Sequence, residues 1–296
     1  MKKIVVIGDS LEDKYIFFKS ERREPANLSI PIGVRKDTIV VPGGAGNLHR
    51  NIESLLYREK IKFFTNSVKP KKVRYIVNNE LVLREDIEDK IKYNRSIIKN
   101  ALNTITEDDV VIISNYHKGF IKDRDIKDII KYCDTYENVK VIIDTNIVNS
   151  SYANCFLLKI NNITANEYCN KESLYGLRNI PLSQRISREM NSNVIVTAAK
   201  NKVEFTVNGV SYRCGFKNED DIVFQDAIGA GDAFLVGFIY SYINEENFKE
   251  AVKYADSAGR CSTKYLGTIK QLSKFSNVHN FMANAHHHEY IYEIIE

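Results

Sequence analysis

Short apolar runs alternate with longer charged stretches along this chain of 296 residues. The runs are rich in Ile, Val and Leu, and each has the length expected of one buried strand. They occupy residues 3–7, 110–114, 140–143, 155–159 and 193–197. The stretches between them, such as residues 124–133, carry apolar side chains at helical spacing. Buried strands that alternate with amphipathic helices predict an α/β fold, with a mostly parallel central sheet flanked by helices on both faces.

Two segments in the first third of the chain have a different pattern. Residues 30–41 and 73–83 alternate apolar and polar side chains and are rich in Val, Ile and Tyr. This alternation predicts half-buried strands, and we expect them to form a small β-lid, made of about residues 14–41 and 71–84, that projects from the main sheet. No Pro-, Gly- or Ser-rich linker divides the chain, so we expect a single domain over residues 1–296.

Two later segments are less regular. Residues 84–105 return to helical spacing and predict a helix. The last stretch, residues 277–296, has no clear place in the core. Its three histidines at 286–288, beside Glu289, could bind a metal ion or form a solvated polar turn. We favour the turn, because an isolated histidine triplet lacks the fixed geometry of a metal site.

The charge balance and the cysteines narrow the possible functions. Lys and Arg number 42 and Asp and Glu 38, so the formal net charge is only +4. A nucleic-acid-binding surface needs a strong basic stripe, which this excess does not indicate. The five cysteines are widely spaced without a C-x-x-C pair, which predicts reduced, buried thiols. No apolar run approaches the roughly 18 residues of a membrane helix, and no secretory signal is recognisable. We therefore expect a cytoplasmic protein that binds neither nucleic acid nor membrane.

The strongest local signal is D-A-I-G-A-G-D at residues 226–232, directly before an apolar, helix-like run. The small residues Gly229, Ala230 and Gly231 leave the backbone N–H groups of a helix start uncovered, and these donors form an anion site. Asp232 could take a proton from an attacking hydroxyl while the amides hold the charge of the transition state. The alternative is a glycine-rich helix start in which Asp232 is only a capping carboxylate.

A second set of candidates lies near the amino terminus. Asp9 follows the first predicted strand, and Asp13 comes four residues later. Parallel sheets bind ligands at the carboxyl ends of their strands, and carboxylates accept hydrogen bonds well from sugar hydroxyls. Gly43 and Gly44 allow a ligand to approach the backbone, and Asn47 offers both a donor and an acceptor. These residues predict a sugar site; the alternatives are a helix cap for Asp9 and an ordinary strand-to-helix turn for the glycines.

Together these motifs resemble the ribokinase-like (PfkB) family of carbohydrate kinases. The family's G-D pair, its glycine pair followed by an asparagine, and its late D-x-x-G-A-G-D occur here in order, over roughly residues 3–270. Further stretches resemble one branch, the heptose-7-phosphate kinase domain of ADP-heptose synthesis. They are G-D-S-L-E-D-K-Y at 8–15, V-R-Y at 73–75, L-R-E-D-I-E at 83–88, S-N-Y-H-K-G at 114–119 and K-Y-L-G-T at 264–268.

The resemblance implies roles for three groups of residues. The implied catalytic group is the base Asp232 with an anion hole of Gly229, Ala230 and Gly231. The implied acceptor group holds the sugar with Asp9, Asp13, Gly43, Gly44 and Asn47, and its phosphate with Arg84 and Lys118. A structural salt bridge is the alternative for each of these two cations. The implied nucleotide group is Asn161, Thr197, Asp226, Lys264 and Gly267.

Two departures from the family pattern bear on metal and nucleotide binding. The family's N-x-x-E, which helps to organise magnesium, has no counterpart at its spacing. If Asn161 matches its Asn, Thr164 stands at the Glu position, and Glu167 is the candidate substitute as metal ligand. The nucleotide loop reads A-K-N-K at residues 199–202 and lacks glycine.

By the same resemblance, the expected phosphate donor is ATP with Mg²⁺, and the expected acceptor is the anomeric hydroxyl of heptose 7-phosphate. The product is the 1,7-bisphosphate used in surface-polysaccharide assembly, and a homodimer joined through the lids is implied. Asn115 and Glu85 replace an expected acid and an expected apolar residue. The G-x-F-D and H-x-G-H signature of a nucleotidyl-transferring domain is absent from the sequence, so adenylyl transfer is not predicted. A family kinase for another sugar or nucleoside, and a non-catalytic sugar-phosphate-binding protein, stay open as alternatives.

Overall fold

The computed structural model describes residues 3–56, 60–171, 180–199, 201–217, 226–245, 247–268, 272 and 290–295. The strands are β1 Lys3–Gly8, β2 Ser10–Glu24, β3 Asn27–Gly44, β4 Lys60–Thr65, β5 Lys71–Val77, β6 Glu80–Ile87, β7 Val110–Asn115, β8 Lys140–Thr145, β9 Leu157–Asn161, β10 Asn193–Thr197, β11 Val203–Val207, β12 Val210–Phe216 and β13 Tyr290–Ile295. The helices are α1 Ala45–Leu55, α2 Arg95–Leu102, α3 Asp123–Cys133, α4 Asn162–Lys171, α5 Leu182–Met190, α6 Ala230–Glu245 and α7 Phe248–Ser262.

Nine of the described strands form one central sheet, in the order β13-β12-β11-β10-β9-β8-β7-β1-β4. Neighbouring strands from β4 to β10 run parallel, whereas β11, β12 and β13 are added antiparallel. Parallel strands are buried on both faces, which explains why their sequences read as continuous apolar runs. The mostly parallel α/β sheet predicted from these runs is confirmed.

Alternate side chains of each parallel strand enter two separate cores. Ile4 and Val6 of β1 pack with α1, α6 and α7 on one face, while Val5 and Ile7 pack with α2, α3 and α5 on the other. All four side chains are fully buried. Helices therefore cover both faces, as predicted, and the carboxyl ends of the strands are left as the edge where such a sheet binds ligands.

A second sheet of four described strands, in the order β3-β2-β5-β6, begins where β1 ends. Strand β2 pairs antiparallel with β3 and parallel with β5. The lid segments predicted at 14–41 and 71–84 lie inside this sheet, although β2 already starts at Ser10 and β6 continues to Ile87. Because β3 leads directly into α1, the lid shares its base with the carboxyl edge of the main sheet.

Two local predictions are wrong. The helix predicted over residues 84–105 begins only at Arg95, because β6 occupies the start of this segment and Asn94 caps the first helical turn. The carboxyl-terminal stretch, for which no place in the core was predicted, contributes β13, which pairs with β12 along its whole length. The histidines at 286–288 lie outside the described residues.

The five cysteines are buried and free, as predicted. Within the described ranges, no helix is both long enough and apolar enough to cross a membrane.

Candidate active site

The turn before α6 carries the acid that was predicted to be the base. Gly229 has a φ of +80°, and a Cβ added there would lie 2.7 Å from the Cγ2 of Thr268. Only glycine accommodates both the left-handed backbone and this close approach. The chain then enters α6, whose first turn contains Gly231 and Asp232. The first N–H groups of a helix have no acceptor within it, so these two amides can hold an anion.

Ala230, the third predicted member of the anion hole, is placed differently. Its N–H donates to the carbonyl oxygen of Ala227 at 3.1 Å, which closes the turn before the helix. Ala230 therefore shapes the turn, and its amide is already engaged.

The carboxylate of Asp232 is buried and receives two hydrogen bonds from distant parts of the fold. Asn47 Nδ2 donates to one carboxylate oxygen at 2.6 Å, and the Tyr116 hydroxyl donates to the other at 3.2 Å. Asn47 lies in the first turn of α1, and Tyr116 directly follows β7. The structure thus brings the predicted base and the predicted sugar ligand Asn47 together, and adds Tyr116 as a contact that was not predicted.

The surroundings of Asp232 raise its pKa. Burial raises the pKa of this carboxyl group to about 6, and the nearby carboxylate of Asp144 acts in the same direction. The hydrogen bonds from Asn47 and Tyr116 and the positive charge of Lys159 oppose the rise in pKa. A carboxylate with a pKa near neutrality is still ionised at pH 7 and is a stronger proton acceptor than an ordinary one, which suits a general base.

Asp9, a predicted sugar ligand, is fully buried behind this site. One of its oxygens accepts the N–H groups of Tyr116 at 2.9 Å and Lys118 at 3.2 Å, and the other accepts the N–H of Phe120 at 3.0 Å. Burial raises the pKa of Asp9, while these three N–H groups lower it. Asp9 therefore anchors the loop that carries Tyr116 to Asp232, and a direct contact with sugar stays a prediction.

The glycine pair at the end of β3 makes room for oxygen atoms. A Cβ at Gly43 would clash with the carboxylate of Asp13, and a Cβ at Gly44, whose φ is +57°, would lie 2.6 Å from the carbonyl oxygen of Asp9. Asp13 itself is buried and accepts a hydrogen bond from Arg74 of β5 at 2.6 Å. Asp13 is therefore held in a buried ion pair where the lid meets the main sheet.

The two cations predicted to bind the sugar's phosphate are both paired. Arg84 makes two hydrogen bonds to Asp86, at 2.7 and 2.6 Å. Lys118 donates to Glu88 at 2.6 Å. Salt bridges of this kind near the surface contribute little to stability, so a phosphate dianion can compete with either carboxylate.

Lys72 is a third cation in this region, which the sequence did not single out. It lies on β5, and its Nζ is 5.6 Å from the centre of the Tyr116 ring. Burial lowers its pKa, although the charge of Asp13 attracts the protonated form. Among the residues that the structure describes, no acidic side chain forms an ion pair with Lys72.

A cavity of about 420 Å³ opens beside the turn that carries Asp232. It is lined by residues at the ends of four parallel strands and by the start of α6: Asn115, Thr145, Asn161, Thr197, Ala230 and Gly231. Ala199 also lines it and has a φ of +47°, in the loop where glycine was expected. The size and the position at the strand ends fit a nucleotide. Asn161 and Thr197 both line the cavity, and their contact with a nucleotide stays a prediction.

The other three predicted nucleotide contacts do not line this cavity. The carboxylate of Asp226 accepts N–H groups from Ile228 at 3.0 Å and from Gly267 at 2.9 Å, and so joins the turn to the loop after α7. Gly267 has a φ of +54° and lies against the ring of Tyr15 on the lid. Lys264 is exposed. The 264–268 loop therefore lies against the lid at Tyr15, and nucleotide contacts of these three residues stay predictions.

The implied magnesium ion would need oxygen ligands from the protein. Glu167, the predicted substitute, is exposed on α4 and does not line the cavity. Thr164 is buried, and its Oγ1 donates to the carbonyl oxygen of Asn146 at 3.2 Å. Across the described ranges, no cluster of three His, Cys, Asp or Glu side chains could hold a metal ion. These donors do not fit a magnesium ion held by the protein alone.

Four charged residues of the cavity wall were not predicted from the sequence: Asp144, Lys159, Asp256 and Arg260. Lys159 on β9 and Asp144 on β8 are buried and form an ion pair of 2.9 Å. Residues 155–159 were predicted only to be a buried strand. A lysine inside such an apolar run was the signal that could have identified it, because charged side chains are rarely buried unless they are paired or functional.

A glycine-lined helix start, a buried carboxylate with a raised pKa and a nucleotide-sized cavity, all at one edge of a parallel sheet, define a phosphotransferase site. Residues 79–274 match the model of the pfkB family of carbohydrate kinases. The match covers well over half of the chain, which therefore belongs to this family and is a carbohydrate kinase.

Relatives of known name support the same placement. The bifunctional protein HldE of Helicobacter acinonychis (strain Sheeba) is 26% identical over 305 residues, which cover 90% of this chain and 64% of that protein. The bifunctional protein HldE of Aliarcobacter butzleri (strain RM4018) is 26% identical over 327 residues, which cover 96% of this chain and 66% of that protein. The chain therefore spans about two thirds of the length of these relatives.

Solved structures share the fold. Phosphofructokinase-2 from Escherichia coli superposes with a TM-score of 0.71 at 13% identity, covering 96% of this chain and 98% of that one. A putative sugar kinase from Clostridium perfringens superposes with a TM-score of 0.66 at 14% identity, covering 100% of this chain and 99% of that one. The ribokinase-like fold implied by the sequence is confirmed.

Proposed function

We propose that this carbohydrate kinase transfers the γ-phosphate of ATP to the anomeric hydroxyl of heptose 7-phosphate and forms the 1,7-bisphosphate. The observation that carries the proposal is Lys72, a half-buried cation beside Tyr116, which in turn contacts Asp232. Asp13 and Asp86 act on Lys72 only through space. A phosphate already present on the acceptor would give Lys72 a direct anionic partner. The heptose itself is supported by the sequence resemblance at residues 83–88 and 114–119.

The other cations of this region support a phosphorylated acceptor. The charges of Arg84, Lys72 and Lys118 all lower the pKa of Asp86, with the hydrogen bond from Arg84 as the largest cause. The three cations are therefore within electrostatic reach of one carboxylate. A phosphate dianion among them would gain from each cation, and more strongly than a neutral hydroxyl would.

The chemistry then follows from the geometry around Asp232. Asp232 accepts the proton of the attacking hydroxyl, and the sugar oxygen forms a bond to the γ-phosphorus. The bond from that phosphorus to the bridging oxygen breaks, and ADP leaves with the electron pair. The amides of Gly231 and Asp232 stabilise the charge on the phosphoryl group, while Asn47 and Tyr116 orient the carboxylate. Positioning and electrostatics of this kind supply most of the catalysis in phosphoryl transfer.

The lid can exclude water, which would otherwise compete as acceptor. The Tyr15 hydroxyl on β2 accepts the N–H of Thr268 at 3.1 Å. Thr268 follows Gly267, whose N–H donates to the carboxylate of Asp226. Asp226 belongs to the turn before α6 that carries the catalytic Asp232, here called the catalytic turn. This connection joins the lid to the turn, and a closed lid protects the transfer from hydrolysis.

An ADP-release assay with a panel of acceptors tests the proposal. The panel contains heptose 7-phosphate, other sugar phosphates, the matching unphosphorylated sugars and nucleosides. We expect the highest kcat/KM with heptose 7-phosphate. Lys72→Met should raise the KM for the sugar phosphate by about 10- to 100-fold, the range for losing one charged hydrogen bond, and leave the KM for ATP unchanged.

Lys71→Met is the matched control, because adjacent residues of a strand point to opposite faces. The Nζ of Lys71 lies 3.9 Å from the Oε1 of Glu12. Replacing Lys71 should leave the KM for the sugar phosphate and the KM for ATP unchanged. A preference for an unphosphorylated sugar or a nucleoside would contradict the proposed acceptor. An unchanged KM in Lys72→Met would contradict the phosphate site.

We also propose a homodimer joined through the lids. Strands β3 and β6 expose large apolar side chains, including Leu28 at 72%, Val34 at 55%, Leu81 at 52% and Leu83 at 58%. Several large exposed apolar side chains on one small sheet favour an interaction surface. Light scattering should give the mass of two chains, and Leu83→Glu should give the mass of one. A monomeric wild-type protein would contradict the dimer.

A further inference from the structure

Lys159 is a buried cation on the wall of the large cavity. Its side chain is only 7% exposed, and its Nζ lies 2.9 Å from the Oδ1 of Asp144, which is directly opposite on β8. The neighbouring residues of β9, from Leu157 to Ile160, are otherwise apolar and fully buried. This lysine therefore interrupts a run in which Leu157, Leu158 and Ile160 all belong to the core.

The ammonium group of Lys159 also lies against the catalytic turn. A Cβ added to Gly231 would lie 2.9 Å from Lys159 Nζ, so the missing side chain of Gly231 makes room for this cation. The charge of Lys159 lowers the pKa of Asp232, whereas that of Asp144 raises it. The ammonium group of Lys159 therefore lies close to both the start of α6 and the proposed base Asp232.

Stability alone does not account for the pair of Lys159 and Asp144. Two ions in a protein interior lose their hydration, and well-packed apolar residues in their place are often as stable or more so. Strands β8 and β9 are already joined by their ladder and by the apolar side chains of both cores. A buried ion pair next to a reacting centre therefore points to a chemical role.

We propose that Lys159 is a further catalytic residue, whose ammonium group contacts the phosphoryl group as it is transferred at the start of α6. The phosphoryl group in transit carries negative charge on its three equatorial oxygens, and fixed donors near them stabilise it. Asp144 uses one of the three N–H donors of the ammonium group and holds Lys159 in place. The remaining donors are available to the phosphate, and Asp144 is the positioning residue.

The proposed role of Lys159 agrees with the lack of a carboxylate metal ligand just after β9. Thr164 has no carboxylate to offer a metal ion, and its hydroxyl is bound to Asn146. Lys159 supplies positive charge from the protein itself at the point where the phosphate passes. The inference rests on phosphoryl transfer by this family, and it does not depend on which sugar is the acceptor.

Nucleotide binding without an acceptor provides the first test. In the presence of EDTA, affinities for ATP and ADP are measured by calorimetry for wild type, Lys159→Met and Lys159→Arg. We expect Lys159→Met to weaken ATP binding by about 10-fold or more and ADP binding by less, because the contact is to the terminal phosphate. Lys159→Arg should recover part of the ATP affinity. Lys140→Met, at the other end of β8 beside the Phe156 ring, is the control and should bind like wild type.

The double variant Lys159→Met with Asp144→Asn separates a catalytic role from a structural one. Lys159→Met alone should lower kcat by about 10²-fold or more, the scale for losing one fixed donor to the transition state. It should also lower Tm, because the Asp144 carboxylate is left buried and unpaired. The double variant should recover the Tm but keep the low kcat.

A double variant that regains kcat together with Tm, or an unchanged ratio of ATP to ADP affinity in Lys159→Met, would overturn the proposal. If no acceptor is phosphorylated by the wild type, the proposed acceptor fails, while the nucleotide measurements still decide the role of Lys159.

Discussion

Replacing Asp232 with asparagine removes the proton acceptor but keeps nearly the same shape. The new amide can retain both neighbours, because its oxygen can accept from Asn47 Nδ2 and its amino group can donate to the Tyr116 hydroxyl. We therefore expect the fold and the cavity to survive the substitution. Turnover should fall by about 10²- to 10⁴-fold, the usual contribution of general acid–base catalysis.

The same substitution should stabilise the protein at alkaline pH. Burial and Asp144 raise the pKa of Asp232 from 3.8 to about 6, a difference that corresponds to about 3 kcal/mol between the two ionisation states. Because the pKa of the folded state is raised, ionised Asp232 destabilises the folded protein. This penalty is absent below pH 3.8 and complete above about pH 6. Asp232→Asn carries no charge, so its Tm should exceed that of the wild type at pH 8, by on the order of 5 °C, and the difference should shrink towards pH 4.

Two assays together test this reasoning. ADP release measures turnover, and calorimetry at several pH values from 4 to 8 measures Tm. Asp125→Asn is the control, because Asp125 is also buried but lies at the start of α3, where its Oδ2 accepts the N–H of Lys122 at 3.0 Å. It should lose about 1 kcal/mol of stability, as for a weakened helix cap, and keep its turnover. Near-wild-type turnover in Asp232→Asn would refute its role as base, and a lower Tm at pH 8 would refute the account of its pKa.

Three further predictions concern the surroundings of Asp232. The kcat/KM of the wild type should fall as the pH drops below about 6, because protonated Asp232 cannot accept a proton. Tyr116→Phe removes a hydrogen bond that lowers the pKa of Asp232, so the acidic limb of the pH profile should move to higher pH; an unmoved limb would contradict this contact. Gly229→Ala should lower both turnover and Tm, since its Cβ would meet Thr268, whereas Gly209→Ala, at a φ of +79° in open space, should lose only about 1–2 kcal/mol of stability and keep its turnover.

Local sequence signals predicted the parts of the site that depend on neighbouring residues. The D-A-I-G-A-G-D stretch identified the start of α6 and its acid, because small residues directly before an apolar helix leave its first amides open to an anion. The alternating pattern of residues 30–41 and 73–83 predicted the projecting β-element, although it did not show its division into four strands or that β6 would shorten the following helix. These features depend on residues that are close together in the sequence, so local patterns were sufficient to predict them.

Features that depend on tertiary contacts could not be predicted in the same way. Asp9 was predicted as a sugar ligand, but no local pattern reveals that its carboxylate also accepts backbone N–H groups more than 100 residues away. Gly267 was predicted as a nucleotide contact, and its close approach to the ring of Tyr15 on the lid was not foreseen. Lys159 was predicted only as the last residue of a buried strand. The structure shows that Asp144 lies opposite it on the neighbouring strand. The sequence identifies reactive groups, while packing decides which of them face the reaction.

A crystal structure with a sugar phosphate and a non-hydrolysable ATP analogue tests the central claim most directly. We expect the acceptor hydroxyl within about 2.6–3.2 Å of a carboxylate oxygen of Asp232, the reach needed for proton transfer, with the terminal phosphate of the analogue at the Gly231 and Asp232 amides. An acceptor hydroxyl bound away from Asp232, or a terminal phosphate outside the start of α6, would contradict the account.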